Sequence, residues 1–288
     1  MLRMLAWTAG LAGPRLRARL AQAFAARELR RSSKRARIVQ LNLRLSGNAA
    51  DGLARDALAH TGLTALESLR FWTRPRDANL ALVESVEGLP LLDEALQRGG
   101  VLLVAPHYGN WELLVQWVAR HGPFSLLYTP ASSAPLDAFL RSARERHGVR
   151  VVPASSHGMK PLLKALQRGE LVGITPDQRP EGAGEWAPFF GVPALTMSLV
   201  QRLAAHSGAT PLLCAAERVG FGGRFRIRLA PLPEAVAGPD LIDGARQLNR
   251  AIEAFVRSDV AQYQWTYKRY KGQRPGEALV NPYWPECY

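Results

Sequence analysis

A chain of 288 residues that is 47% hydrophobic can bury a sizeable core, and its length fits one large domain with a helical preface. Two cysteines, Cys214 in an apolar run and Cys287 beside the C-terminus, exclude a disulfide framework and a cysteine-based metal site, and fit a reducing compartment. The formal charge of +13 is lopsided, because residues 1–40 hold ten Lys and Arg against the single Glu28, nine of the thirteen net charges.

That first segment interleaves Leu2, Leu5, Trp7, Leu11, Leu16, Leu20 and Phe24 with its arginines. Such charge suits a solvated helix face, nucleic acid, anionic lipid or an acidic protein. The interleaved apolar residues favour a helix lying in a membrane surface, Leu and Trp at the acyl boundary and Arg at the headgroups. No run of about 18 uncharged apolar residues occurs, which argues against a spanning helix. Arg15, Arg17 and Arg19 stand where a secretory cleavage region would be expected. The expected division is a membrane-associating segment over 1–40 and a single domain over 41–288, with a helical lead-in over 41–90.

From Arg27 to Trp72, Leu, Ile and Val fall at three- and four-residue spacings, which predicts helices interrupted at Gly47-Asn48. From Leu91 short apolar runs (GGVLLVAP, PFSLLYTP, VRVVPAS, ELVGITP, ATPLLCAAER, FRIRLAPLP) alternate with helical stretches that close on Gly, among them WELLVQWVARHG and MSLVQRLAAHSG. This predicts an α/β domain with a sheet flanked by helices. EGAGEWAPFFGVP has little periodicity and reads as a lid or lipid-contacting loop, or else as core aromatics. The glycines of RVGFGGRFRI read as a hairpin turn, not a phosphate loop.

Ligands of such sheets bind beyond the carboxyl ends of the strands. His107 follows VLLVAP and Asp177 follows LVGITP, so the two either face one crevice or are unrelated surface residues. Within VAPHYGNWELL, His107 and Glu112 would lie about 140° apart on a continuous helix and could not pair. A bend at Gly109-Asn110 lets Glu112 enter a first helical turn and fold back toward the imidazole, leaving the other ring nitrogen as a base. The spacing is equally met by a strand-end histidine beside a capping glutamate. There is no GxSxG elbow, no HExxH and no paired Cys or His cluster, so neither a metal nor an organic cofactor is expected.

HYGNWE resembles the HxxxxD/E signature in the form typical of the lipid A biosynthesis acyltransferase family, the late lauroyl- and myristoyl-type acyltransferases of Gram-negative bacteria. QLNLRL, ITPDQRP, PFFGVPALT and YQWTYKRYKGQRP follow in the family's order, from about Gln40 to Pro275. The resemblance implies a lysophospholipid acyltransferase-like fold with a mixed, largely parallel sheet, and transfer of an acyl chain from acyl carrier protein thioester to a hydroxyl of a lipid A precursor. It implies His107 as base, Glu112 as its partner and Arg144 as the family's active-site arginine, an oxyanion or phosphate ligand. Asp177 and Gln178 match the family's DQ element. With Asn110, Arg179, Lys268 and Arg269 they are the expected substrate-binding residues. Arg141, Arg146 and Arg150 leave a plain basic face as a competing reading of Arg144, and the aromatics near Lys268 would also suit packing onto the sheet. The implied partners are acyl carrier protein, an anionic glycolipid and the membrane surface, on the cytoplasmic face of the inner membrane. Many members begin with a spanning helix. Here Gly10, Gly13 and Pro14 interrupt the first segment, which points to monotopic attachment.

Overall fold

A computed structural model describes residues 2–154, 159–272 and 281–288 of the chain. The helical preface comprises α1 (Leu2–Ala9), α2 (Pro14–Arg30), α3 (Lys34–Leu45) and α4 (Leu53–Phe71), followed by the short α5 (Arg76–Leu80). Proline in its first turn starts α2, and Ser33 caps α3 by accepting from the Ala36 amide. The expected break at Gly47-Asn48 lies just beyond α3.

The remainder alternates as expected: β1 (Val83–Glu87), α6 (Leu89–Arg98), β2 (Val101–Val104), α7 (Trp111–Val118), β3 (Phe124–Tyr128), α8 (Ala134–Glu145), β4 (Val149–Pro153), α9 (Met159–Gln167) and β5 (Leu171–Ile174). Then come β6 (Gly184–Phe189), β7 (Val192–Met197), α10 (Leu199–Ser207), β8 (Thr210–Val219), β9 (Arg224–Pro231) and α11 (Leu241–Val256). Seven strands form one sheet in the order β1-β9-β8-β2-β5-β3-β4, in which β8 and β9 pair antiparallel and every other neighbouring pair is parallel.

Strand alternation divides the core between two faces. On β2, Val101 and Leu103 pack with Leu113, Trp117 and Phe225, while Leu102 and Val104 face the opposite cluster with Leu162, Leu203 and Leu248. The second cluster also takes in Ala25, Val39, Leu43 and Leu58, so the helical preface shares the core of the sheet. Asn42 of QLNLRL donates to the carbonyls of Trp265 and Tyr267 and accepts from the Tyr283 hydroxyl, pinning the C-terminal segment. Tyr263, Trp265 and Tyr270 are buried there and pack as core.

Three expectations are corrected. The lead-in 41–90 is not wholly helical, since VESVE forms the edge strand β1, parallel to β9; its half-exposed, charged alternation carries only a weak apolar pattern. EGAGEWAPFFGVP is not irregular: it contributes β6 and the start of β7, an antiparallel hairpin, and Phe189 and Phe190 are buried as the core alternative expected. Its turn has Phe190 and Gly191 at φ of 49° and 78°, a pairing of positive angles that hairpins favour but a phenylalanine seldom adopts. Arg17, one of the basic block, points inward and is buried beside α4 and the β8–β9 turn.

The outward side of the preface is unusual. Besides Arg17, the buried residues of α2 are Ala21 and Ala25, packed against α4, whereas Leu16, Leu20, Met4, Trp7 and Leu11 are exposed. No helix among the described residues is long and apolar enough to cross a membrane.

Candidate active site

The site grows from the turn that leaves β2. After Pro106 the backbone carbonyl of His107 accepts from the Gln264 amide, and Tyr108 bridges to Tyr263. Gly109 then takes φ +63°, and a Cβ there would lie 2.0 Å from the Ala216 carbonyl oxygen, so only glycine fits. Asn110 closes the turn as the N-cap of α7, its Oδ1 accepting from the Glu112 amide at 3.1 Å.

His107 does not pair with Glu112. Its Nδ1 lies 2.8 Å from Asp177 Oδ1, and its backbone N–H donates to Asp177 Oδ2 at 2.9 Å. Register explains this: β2 and β5 are parallel neighbours with Val104 opposite Ile174, and His107 and Asp177 each lie three residues further on, each directly after a proline. Burial alone would raise the Asp177 carboxyl. The charge and two hydrogen bonds of His107 outweigh it and hold the carboxyl below its ordinary value. An ionised carboxylate only accepts, so Asp177 keeps the proton on Nδ1 and leaves the Nε2 lone pair free.

Glu112 instead holds Arg144. A guanidinium N–H of Arg144, which comes from α8, donates to Glu112 Oε1 at 2.6 Å, and its Nε reaches Oε2 at 3.4 Å. The guanidinium sits 5.9 Å from the centre of the Tyr128 ring. Burial works against its charge, yet Glu112 raises its pKa further above the ordinary value, so Arg144 is a fixed cation. The expected residues thus form two pairs, His107–Asp177 and Arg144–Glu112, with Trp111 packed edge-on against the imidazole at 5.2 Å.

His107 and Arg144 line a cavity of about 1330 Å³ at the carboxyl end of the sheet. One wall is apolar and lies under α7, formed by Leu103, Leu114, Val118, Phe124 and Leu126. Cys214 adds to that wall, but burial pushes its thiol up to about 12, so it is no nucleophile. The polar part of the lining carries Arg179, Arg202, Lys268 and Lys271, and Gln178, hydrogen-bonded to Gln264 at 3.1 Å.

Two expected substrate ligands are placed elsewhere. Asn110 is fully buried in its capping role, and its Nδ2 donates to Glu67. Arg269 is buried and turned inward, donating to the Leu195 carbonyl and the Thr196 hydroxyl. Asp177 is buried as well and reaches the cavity only through His107. Arg202 was missed although it lies within the quoted MSLVQRLAAHSG, because one arginine on an amphipathic helix reads as part of a solvated face. Gln273, Arg274 and Pro275 of the last motif lie outside the described residues.

Residues 2–272 match the family model described as bacterial lipid A biosynthesis acyltransferase. The chain is 27% identical over 259 residues to the lipid A biosynthesis lauroyltransferase of Escherichia coli, covering 86% of this chain and 83% of the relative. A lipid A biosynthesis acyltransferase of Haemophilus influenzae is 24% identical over 265 residues, 88% of this chain and 83% of its own. A phosphatidylinositol mannoside acyltransferase of Mycobacterium tuberculosis is 31% identical over 144 residues, 48% of this chain and 46% of its own.

Proposed function

The chain belongs to the bacterial lipid A biosynthesis acyltransferase family, and on that premise we propose that it moves a fatty acyl chain from acyl carrier protein thioester to a hydroxyl of a lipid A precursor, with His107 as general base. The observation that carries this reading is the imidazole of His107, held through Nδ1 by buried Asp177 while its ring lines an apolar cavity. Nε2 takes the proton as the acceptor oxygen attacks the thioester carbonyl. When the tetrahedral centre collapses the C–S bond breaks, and the same proton passes to the leaving thiolate. Arg144 meets the negative charge that develops on the carbonyl oxygen, and Glu112 fixes its direction. The apolar wall under α7 takes the acyl chain, and Arg179, Arg202, Lys268 and Lys271 face the anionic groups of the acceptor.

The exposed Met4 and Trp7 of α1 and the exposed Arg15, Leu16, Arg19 and Leu20 of α2 suit attachment to the inner membrane's cytoplasmic face, where donor and acceptor meet. The mannoside acyltransferase relative favours a second reading, a different anionic glycolipid as acceptor.

Purified protein given acyl carrier protein thioesters and a panel of glycolipid acceptors, with products read by mass, is expected to acylate a lipid A precursor. His107→Ala is expected to lower turnover by on the order of 10²–10⁴-fold. Full transfer by folded His107→Ala removes the general base, and acylation of another glycolipid alone selects the second reading.

A further inference from the structure

Behind the turn that carries His107, on the side away from the cavity, lies a buried ion pair whose residues the mechanism does not use. Glu67 of α4 and Arg218 of β8 are 2% and 3% exposed, and neither lines the cavity. Arg218 Nε donates to Glu67 Oε2 at 2.9 Å, and a second guanidinium nitrogen lies 2.8 Å from the same oxygen. The guanidinium also reaches forward: Nη1 donates to the Gly109 carbonyl at 3.0 Å, and Nη2, the nitrogen already beside Glu67, donates to the Thr64 hydroxyl at 2.6 Å. Glu67 Oε2 also accepts from Asn110 Nδ2 at 3.0 Å. Gln262 holds Arg218 in place, its Oε1 accepting from the Arg218 amide and its Nε2 donating to the Arg218 carbonyl.

The two groups fastened here are the Gly109 carbonyl and the side-chain amide of Asn110, in the middle of the bend between the two catalytic pairs. His107 lies two residues before Gly109 and Glu112 two residues after Asn110. Any rotation of this bend moves the imidazole against Asp177 and the carboxylate against Arg144 together. A loop carbonyl facing protein interior is ordinarily satisfied by a neighbouring amide. This one takes a charged N–H from the sheet, the Nη1 of a guanidinium whose other nitrogens are held by Glu67 and Thr64, which fixes direction as well as distance.

We infer that Glu67 and Arg218 are positioning residues for acyl transfer: the pair sets the Gly109-Asn110 bend, and through it the alignment of His107 and Arg144, without touching substrate. This rests on the general-base reading of His107. The rival account is that the pair only holds α4 to the sheet, and the two accounts separate because a buried ion pair can be removed whole. Losing one partner strands a buried charge, whereas replacing both by apolar residues of similar size is often neutral for stability.

The test compares Glu67→Gln, Arg218→Lys and the double variant Glu67→Leu/Arg218→Met by thermal unfolding and by kcat and KM for both substrates. Glu67→Gln is expected to melt lower, and the double variant to recover much of that loss. In the double variant kcat stays down by on the order of 10²-fold with KM nearly unchanged, as misplacement of a reacting group would produce. Arg218→Lys keeps a cation against Glu67 but loses the fork, so it is expected to stay folded with lowered kcat. Recovery of kcat together with stability in the double variant, or full kcat in Arg218→Lys, overturns the inference. In a His107→Ala background, Glu67→Gln is expected to cost less than it costs the otherwise wild-type protein, since only the alignment of Arg144 is left to lose, and a full additional loss there also overturns it. Full activity of His107→Ala by itself sinks the general-base reading instead, so the two failures are distinct.

Discussion

Asp177 does for His107 what the nearer carboxylate in the chain does not. Five residues separate His107 from Glu112 and seventy separate it from Asp177, yet adjacent parallel strands in register bring the distant acid to 2.8 Å. Asp177→Asn keeps the shape but offers an amide where Nδ1–H needs an acceptor, so the ring is expected to take the wrong tautomer. Single-turnover transfer should fall by about 10²–10⁴-fold with the fold intact, and a variant within a few-fold of wild type would remove Asp177 from the mechanism. His107, Arg144, Gln178, Arg179 and Lys268 were found from motifs and do line the cavity. Asn110 and Arg269 were found by the same route but face inward, because a motif records which residue stands at a position and not which way its side chain turns.

The turn between β2 and α7 is the element on which the site depends. Gly109→Ala combines a positive φ with a Cβ driven onto the Ala216 carbonyl. The strained backbone alone costs about 1–3 kcal/mol. The expected result is a lowered urea midpoint and a larger loss of transfer activity than of stability, and an unchanged midpoint would contradict the close approach. The outer face of α2 makes a separate prediction. Leu16→Ser with Leu20→Ser touches exposed residues and should leave unfolding unchanged, while binding to anionic vesicles in a flotation assay weakens by at least about tenfold. Equal flotation of the variant would locate membrane contact elsewhere. Helices and buried strands were legible because their periodicities reflect burial on one face or two. β1 and the β6–β7 hairpin were not: one is an edge strand with little to bury, and the other turns on a phenylalanine in a conformation that sequence rules assign to glycine or asparagine.

Across the whole molecule the preface and the sheet share one core, and their seam carries buried polar groups as well as apolar ones. His60 of α4 is buried against Phe221, and burial followed by the field of Arg218 lowers its pKa to about 3. The unfolded chain takes up that proton below about pH 6.5 while the folded chain does not. Stability from this group is therefore undiminished above that pH and falls as pH drops toward 3. His60→Phe is expected to flatten urea stability between pH 6 and 4 by up to ~1.4 kcal/mol per pH unit, and an unaltered slope would refute the assignment. The amino-acid order by itself determined the alternation of strands and helices, the basic amphipathic start and the residues from which a site could be built, because each follows from local periodicity, charge or spacing. Only the tertiary structure decided that Asp177 serves His107, that Glu112 serves Arg144, and that Glu67 and Arg218 grip the bend between them. Those partners come from different strands and helices, and strand order and register, which no local pattern encodes, set which of them meet.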